Sequence, residues 1–451
     1  MSNILYYYIP FGLSLRIRDY SGNINKLFLR RVSRRMENVI KNLGLIPRLV
    51  IAIILGTVIG MFFPEWTGDL LYTLSSIFGQ LLFYVVPLII LAFIIPGIAE
   101  LGEKPGKMLG LTAGVAYLST IIAGTIAFFA AMFIIPSITP ELVEVEESTG
   151  LSTFIEIEIE PLMGIMTALV TAFIFGIGIN YLKNVKEEKT LYRFMLEFRE
   201  VTRMVIQKVI IPLLPLYIAG IFANMAAEGT VFTTLGLFAP LFGLVIGVQL
   251  LYLLMQYTVA NRLSPKNPIF GSIRKMVPAY TTALGTVSSA ATLPVTLKSA
   301  KTLSVPEKIT DLVVPLGATI HLAGSTIALT ISAVTVYLLH IGTPDFLSFL
   351  PFIMMLGVVM IGAPGVPGGA VMAALGLLGS MLGFGETEIA LMIALYMGQD
   401  PFGTACNVTG DGANSIIVSA FAKEPGSQPT EPDSGVQEPI IDEQMTPKVE
   451  G

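Results

Sequence analysis

Long apolar stretches recur along the whole chain, and short polar segments separate them. Eight stretches stand out, near 46–63, 74–98, 108–135, 161–182, 204–226, 232–258, 308–340 and 386–421. A helix needs about 20 mostly apolar residues to cross a bilayer, and these stretches approach or exceed that length. The pattern therefore predicts an all-α polytopic membrane protein with eight transmembrane helices. A short extra helix is expected at 185–203, between the fourth and fifth spans.

Two other apolar segments are interrupted in the middle. Residues 268–300 centre on the small residues TVSSAAT, and residues 349–384 centre on IGAPGVPGGA, with apolar arms on both sides. Each segment predicts a re-entrant helical hairpin that enters the membrane, breaks at its tip and returns; two ordinary surface loops are the alternative. Broken backbone at membrane depth is tolerated only where protein buries it or where it lines a cavity. Paired interrupted segments therefore point to the binding site of a transporter.

Composition and charge narrow the class further. The chain is 53% hydrophobic and 13% charged, against about 25% charged residues in soluble proteins. One cysteine and two histidines exclude a disulfide framework and a histidine-rich metal site. The sequence holds no phosphate-binding or metalloprotease motif, and no basic surface for nucleic acid. We therefore expect no enzyme activity, no covalently bound cofactor and no nucleic-acid partner.

The polar segments between the spans alternate in charge. Basic residues precede the first span and recur in every second loop, whereas the acidic segment 138–160, with seven glutamates, falls between them. By the positive-inside rule, this arrangement predicts a multi-pass protein of the cell membrane with both termini in the cytoplasm. Residues 138–160 are expected to form an exterior loop whose end alternates like a strand.

The last apolar stretch carries an unexpected polar stripe. Asp400 and Asp411 are eleven residues apart, about three helical turns, and Thr404 and Asn407 fall on the same face. A charge at the centre of a bilayer costs about 2.5–3.5 kcal/mol and usually faces a cavity where it binds an ion or a substrate. The alternatives are a protonated buried acid and, for Asp400, a helix N-cap, because Pro401 suits a first helical turn.

The physical chemistry of these groups favours a zwitterionic substrate. The N-termini of two half-helices would present free N–H groups to a carboxylate. Asp400 would accept the substrate ammonium, and Asp411 would hold a cation. The residues alone therefore indicate an amino acid carried together with an ion.

Four motifs occur in a fixed order and carry a resemblance. They are SSAATLPVT at 288–296, PLGATIHLAGST at 315–326, GAPGVPGGA at 362–370 and NVTGD at 407–411. With them, residues 45–421 resemble the dicarboxylate/amino acid:cation symporter family, the glutamate transporter homologues. The resemblance implies a homotrimer in the lipid bilayer, an elevator-type fold with alternating access, and a second hairpin that acts as the extracellular gate.

The resemblance also implies a division of the chain. It gives a basic cytoplasmic extension at 1–45, scaffold and early transport-domain spans at 46–260, and a transport core at 261–421. The core would contain hairpin 1 at 268–300, span 7 at 308–340, hairpin 2 at 349–384 and span 8 at 386–421. A disordered cytoplasmic tail is expected at 422–451.

The substrate site implied by the family departs from its acidic members. The implied substrate residues are Ser288, Ser289, Ser325, Val366, Ala370, Asp400, Gly403, Thr404 and Asn407. Gly403 stands where carriers of acidic amino acids have an arginine, and Val287 replaces a second one. Because an acidic side chain buried without that partner would cost several kcal/mol, we expect a small neutral amino acid resembling serine, threonine or alanine. An acidic amino acid or a dicarboxylate is the alternative.

The implied cation ligands depart as well. They are Gly317, Thr319, His321, Ile361, Ala363, Asn407 and Asp411. The family's Asn-Met-Asp-Gly-Thr signature here reads His-Leu-Ala-Gly-Ser, so that Ala323 replaces an Na⁺-binding aspartate and one site is lost. We expect Na⁺ as the coupling ion. H⁺ coupling through His321 is an alternative, and a neutral core histidine is another. An anion channel or a membrane sensor is the rival of a different class.

Overall fold

The structure is a computed structural model that describes residues 44–100, 107–138, 150–363 and 367–422. The predicted N-terminal extension and C-terminal tail therefore lie almost wholly outside the described residues. So do Val366, in the middle of the second interrupted segment of the sequence, and residues 139–149 of the acidic segment.

The described residues form helices, turns and irregular segments, with no strand among them. In chain order the helices are α1 Leu45–Phe62, α2 Glu65–Glu100, α3 Lys107–Ile138, α4 Ile165–Val185, α5 Thr190–Val205, α6 Ile211–Ala227, α7 Val231–Leu263, α8 Ile269–Thr286, α9 Ser289–Ala300, α10 Glu307–Ile320, α11 Ala323–His340, α12 Phe346–Met360, α13 Gly369–Leu382 and α14 Glu386–Phe421. The prediction of an all-helical protein is confirmed for this part of the chain.

The described helices include seven membrane-span candidates by length and composition, when α5–α6 and α10–α11 are each taken as one. This supports a multi-pass membrane protein. The last helix, α14, is long enough to cross a bilayer, with 36 residues, but is not among the seven. Its polar residues lower its hydropathy, and the count of eight spans stays a prediction.

Two local predictions gain detail from the structure. The short helix expected at 185–203 is α5, which begins at Thr190 and is joined to α6 by a π-helical turn, Ile206–Ile210. The alternation at the end of 138–160 does not make a strand, because residues 150–160 have no regular secondary structure. Alternating Ile and Glu suit a strand only where a partner strand exists, and the described chain offers none.

Span 7, predicted as one helix over 308–340, is broken. Helix α10 ends at Ile320 and α11 begins at Ala323, while His321 adopts an extended conformation with φ −108° and ψ 94°. The break leaves the first N–H groups of α11 without helical partners. Asn407 supplies one, since its Oδ1 accepts hydrogen bonds from Gly324 N at 2.8 Å and Ser325 N at 3.3 Å.

Both interrupted segments form two helices joined by a break, as their pattern predicts. The first joins α8 to α9 through Val287, which has a left-handed backbone with φ 51°, and Ser288, whose side chain caps α9 by accepting from Ala291 N. The second joins α12 to α13, and α13 starts directly after Gly368, whose φ is 76°. A left-handed conformation is easy for glycine and rare for valine.

The helix pair α1 and α6 packs at unusually close range. A Cβ atom added at Gly56 or Gly60 would collide with the backbone of Ala219 or Ala223. The spacing of the two glycines is that of a small-residue motif which lets membrane helices approach closely. The last helix, α14, is surrounded by α7, α8, α9, α10 and α11, so its polar stripe lies inside protein.

Candidate functional site

The polar stripe of α14 is buried along its whole length. Asp400, Thr404, Asn407 and Asp411 are each at most 5% exposed. Asp400 lies well inside the helix and Pro401 continues it, so the alternative that Asp400 caps a helix N-terminus is wrong. The structure adds Tyr396 to the stripe, one turn before Asp400 and fully buried.

Among the described residues, two neutral donors hold Asp400. Gly368 N donates to Oδ2 at 2.6 Å, and the phenol of Tyr396 donates to Oδ1 at 2.9 Å. Thr404 follows one helical turn after Asp400 on α14. Hydrogen bonds to a charged acceptor are about twice as strong as neutral ones. These donors explain how the carboxylate is accommodated inside the protein with only neutral groups bonded to it.

The second hairpin brings the start of a helix to Asp400. Gly368 immediately precedes α13, and the positive end of the helix dipole favours a negative group at that point. The sequence predicted that hairpin tips would face a substrate carboxylate. In the structure, the carboxylate at the tip of hairpin 2 is that of Asp400 itself.

Asn407 and Ser325 contact each other across the break in span 7. Asn407 Nδ2 donates to Ser325 Oγ at 3.0 Å, while Asn407 Oδ1 accepts from the backbone of α11 as described above. Both side chains are therefore engaged within the protein. Gly403 lies beside the same serine, since a Cβ atom built there would be 3.4 Å from Ser325 N, Cα and Oγ.

Asp411 is paired with a histidine. His321 Nδ1 lies 3.0 Å from Asp411 Oδ1, with both side chains buried. In the described part of the chain, Asp411 Oδ2 has no hydrogen-bond partner. Gly317 of α10 is in close contact, because an added Cβ would collide with the Asp411 carboxylate. The carbonyl of Gly317 accepts from His321 N at 2.8 Å.

The other ring nitrogen of His321 contacts a network of polar residues that was not predicted from the sequence. His321 Nε2 lies 2.9 Å from Ser119 Oγ, on α3. Tyr252 donates to Ser119 O, and Gln256 joins Ser119 to Asn414 through its Nε2. A serine and a glutamine within strongly apolar spans were the available signal for this network.

The remaining predicted site residues are more scattered. Thr319 is exposed and its hydroxyl donates to Leu316 O, whereas Ile361 and Ala363 follow α12; among the described residues no hydrogen bond joins Thr319 to either. Ser288 and Ser289 are half-buried at the tip of hairpin 1, and Ala370 is buried in the first turn of α13.

A ligand set for a transition metal is not found in the described chain. No group of three or more histidine, cysteine, aspartate or glutamate side chains lies together there. The polar stripe offers carboxylate, amide and backbone oxygens instead. These are the ligands that hard cations prefer, and backbone carbonyls at helix breaks coordinate Na⁺ in transporters.

Broken helices that meet at a buried polar stripe in a multi-pass membrane protein define the class of secondary transporters. The chain belongs to the sodium:dicarboxylate symporter family, whose model matches residues 45–421. The family resemblance predicted from the four motifs is thereby confirmed. Because the family consists of transporters, the expectation that the chain is not an enzyme is confirmed as well.

Several relatives are similar over most of the chain. The serine/threonine transporter SstT of Enterococcus faecalis is 26% identical over 83% of this chain and 91% of its own length. The excitatory amino acid transporter 3 of Oryctolagus cuniculus is 26% identical over 86% and 87% of the two chains. The human neutral amino acid transporter B(0) is 27% identical, but the match covers 60% of this chain and half of the relative.

Proposed function

We propose that the protein is a secondary active symporter of a small neutral amino acid, coupled to Na⁺ by alternating access. The expected substrates resemble serine, threonine and alanine. The environment of Asp400 is the observation that carries this proposal. Its carboxylate is buried at the tip of hairpin 2, and the groups bonded to it are neutral donors. A substrate ammonium would supply the positive charge that these donors lack.

The absence of a side chain at position 403 supports a neutral substrate. Gly403 lies against Ser325, and the atoms nearest to a Cβ at this position are the backbone and hydroxyl of that serine. A substrate carboxylate placed there would be buried without a cationic partner, which is strongly unfavourable. Two of the relatives support the same reading, since one is named a serine/threonine transporter and one a neutral amino acid transporter.

An acidic substrate is the rival within the class. The family's own description names a dicarboxylate, and another relative is named an excitatory amino acid transporter. A dicarboxylate without nitrogen has no ammonium for Asp400. An acidic amino acid would have to place its second carboxylate beside Gly403 and Ser325.

The coupling ion is proposed to bind at Asp411. Oδ2 of this residue has no partner in the described chain, and the broken backbone at His321 supplies nearby carbonyl oxygens. The position of His321 favours a second candidate, in which H⁺ takes the place of Na⁺. Its imidazole already occupies the other oxygen of Asp411, so the chain supplies its own partner for the acid.

The larger architecture follows the family. We propose a homotrimer in the cell membrane, with residues 46–260 as scaffold and early transport-domain spans and 261–421 as the moving core. Both termini would be cytoplasmic. Close packing of α1 against α6, in the first of these regions, suits a rigid support.

Uptake into proteoliposomes tests the proposal. Labelled serine and aspartate are compared at fixed pH, with and without an inward Na⁺ gradient. Serine accumulation that needs Na⁺, with aspartate inactive, is the expected result. Serine accumulation that ignores Na⁺ and stops with a proton uncoupler supports H⁺ coupling, and aspartate uptake equal to that of serine contradicts the neutral substrate. Current without accumulation against a gradient indicates a channel.

A further inference from the structure

Two pairs of polar side chains in the site are hydrogen-bonded: Asn407 with Ser325, and Tyr396 with Asp400. In the first pair, Asn407 Oδ1 also accepts from two backbone N–H groups of α11. The amide orientation is therefore fixed, and Nδ2 faces Ser325 Oγ at 3.0 Å. Because Ser325 Oγ accepts there, its own hydrogen is free to donate.

The second pair joins Tyr396 to Asp400. The phenol oxygen lies 2.9 Å from Asp400 Oδ1. An ionised carboxylate only accepts hydrogen bonds. Tyr396 must therefore donate to Asp400.

This arrangement fixes which oxygen of Asp400 is available to a ligand. Tyr396 occupies Oδ1, and the other oxygen, Oδ2, faces Gly368 at the tip of hairpin 2. Tyr396 is fully buried. Its side chain has only two rotatable torsion angles, so it loses little conformational entropy when it is held in place. A carboxylate held in one orientation binds a cation more tightly than one that must first be ordered.

We propose that Tyr396 is a positioning residue for recognition of the substrate ammonium. It acts through Asp400: the bond from Tyr396 holds Oδ1, so that the ammonium binds at Oδ2 in place of the Gly368 N–H. This inference rests on the proposed function, because it assigns a role in binding an amino acid at Asp400.

Tyr396→Phe tests the assignment, since it removes one hydroxyl and keeps the ring. The KM for serine uptake is expected to rise about tenfold, which corresponds to loss of one hydrogen bond to a charged group, while the maximal rate changes by less than about twofold. Inhibition by amino acids should weaken relative to inhibition by hydroxy acids of the same shape, because only the former bring an ammonium to Asp400.

Tyr217→Phe is the matched control. Tyr217 is also fully buried and donates its phenol to a carbonyl, Glu386 O, at 2.8 Å. Tyr217→Phe should lower the unfolding temperature about as much as Tyr396→Phe does, without changing the KM for serine. A lower maximal rate with unchanged KM in Tyr396→Phe would show a purely structural role and overturn the proposal.

Tyr396→Leu is the second variant. It also removes the hydroxyl, so it should raise the KM for serine in the same direction. If Tyr396→Phe does not fold, an unchanged KM in Tyr396→Leu overturns the proposal.

The failure of this inference differs from failure of the proposed function. If the wild-type protein accumulates serine and Tyr396→Phe has the same KM, the positioning role is wrong and the function stands. Suppose that the wild-type protein does not accumulate serine, threonine, alanine or aspartate, and that none of them raises its unfolding temperature. The proposed function is then wrong, and the positioning role of Tyr396 is wrong as well.

Discussion

His321 Nδ1 lies 3.0 Å from Asp411 Oδ1, and both side chains are excluded from solvent. Ser119 Oγ, 2.9 Å away, holds the other ring nitrogen. The imidazole is therefore fixed between two partners. One of the two carboxylate oxygens of Asp411 already has a hydrogen-bond partner within the protein. An ion that binds to Asp411 must use Oδ2 or displace the histidine, so His321 controls what this acid can hold.

His321→Asn should strengthen the response to Na⁺. The substitution removes a donor from Asp411 and offers an amide oxygen, which suits a hard cation. We expect the Na⁺ concentration for half-maximal serine uptake to fall by about tenfold, the size of effect that partners of ion ligands commonly have. Initial rates over a Na⁺ titration measure it.

His340→Asn is the control for this experiment. His340 is the other histidine of the chain. It is the last residue of α11, away from Asp411, and it pairs with Glu388. It should leave the Na⁺ titration unchanged. The same titration curve for His321→Asn and wild type would contradict an Na⁺ site at Asp411.

Asp400→Asn should abolish amino acid binding. The amide keeps the size of the carboxylate and removes the charge that the substrate ammonium needs. Truncating one partner of a buried charge pair weakens binding by at least about thirtyfold. Serine should therefore no longer raise the unfolding temperature, whereas Na⁺ still should, because Asp411 is untouched. Equal affinity for serine in the variant would show that Asp400 does not meet the ammonium.

The spacing of the sequence predicted that Asp400, Thr404, Asn407 and Asp411 share one helical face, and the structure buries that face. Composition likewise predicted both broken hairpins, because Gly, Pro and Ser mark a backbone that leaves the helix. Local patterns of this kind need no knowledge of packing.

The contacts between helices were not predictable in the same way. The pairing of His321 with Asp411 depends on how α10 and α11 lie against α14. The break at His321 and Leu322 has neither glycine nor proline within it, so only its packing reveals it. Tyr396 could have been found, since it lies one turn before Asp400, but a tyrosine in an apolar stretch is usually a packing residue.

Gly403→Arg should move the preference toward aspartate. An arginine at this position would bring the bidentate cationic group that an acidic side chain requires. The ratio of aspartate to serine uptake is expected to rise by about tenfold or more, as a buried charge gains its partner. Competition between the two labelled substrates measures the ratio.

Gly403→Ala separates charge from bulk in that experiment. A Cβ at position 403 makes ordinary contacts with Ser325 at 3.4 Å, so the alanine variant should fold and keep the preference for serine.

If the arginine variant folds, transports serine and shows no change in the ratio of aspartate to serine uptake, then position 403 does not face the substrate side chain.

Gly317→Ala should damage the proposed ion site through shape alone. A methyl group there would collide with the carboxylate of Asp411, and overpacking of a buried site costs about 1–3 kcal/mol. The matched control is Gly178→Ala, at an exposed helical glycine with open space around its Cβ position. Alanine there should be neutral or stabilise by up to about 1 kcal/mol, because it favours helix. Thermal unfolding with and without Na⁺ distinguishes the two: Gly317→Ala should lower the unfolding temperature and lose the Na⁺ response, while Gly178→Ala keeps both. A retained Na⁺ response in Gly317→Ala would place the ion away from Asp411.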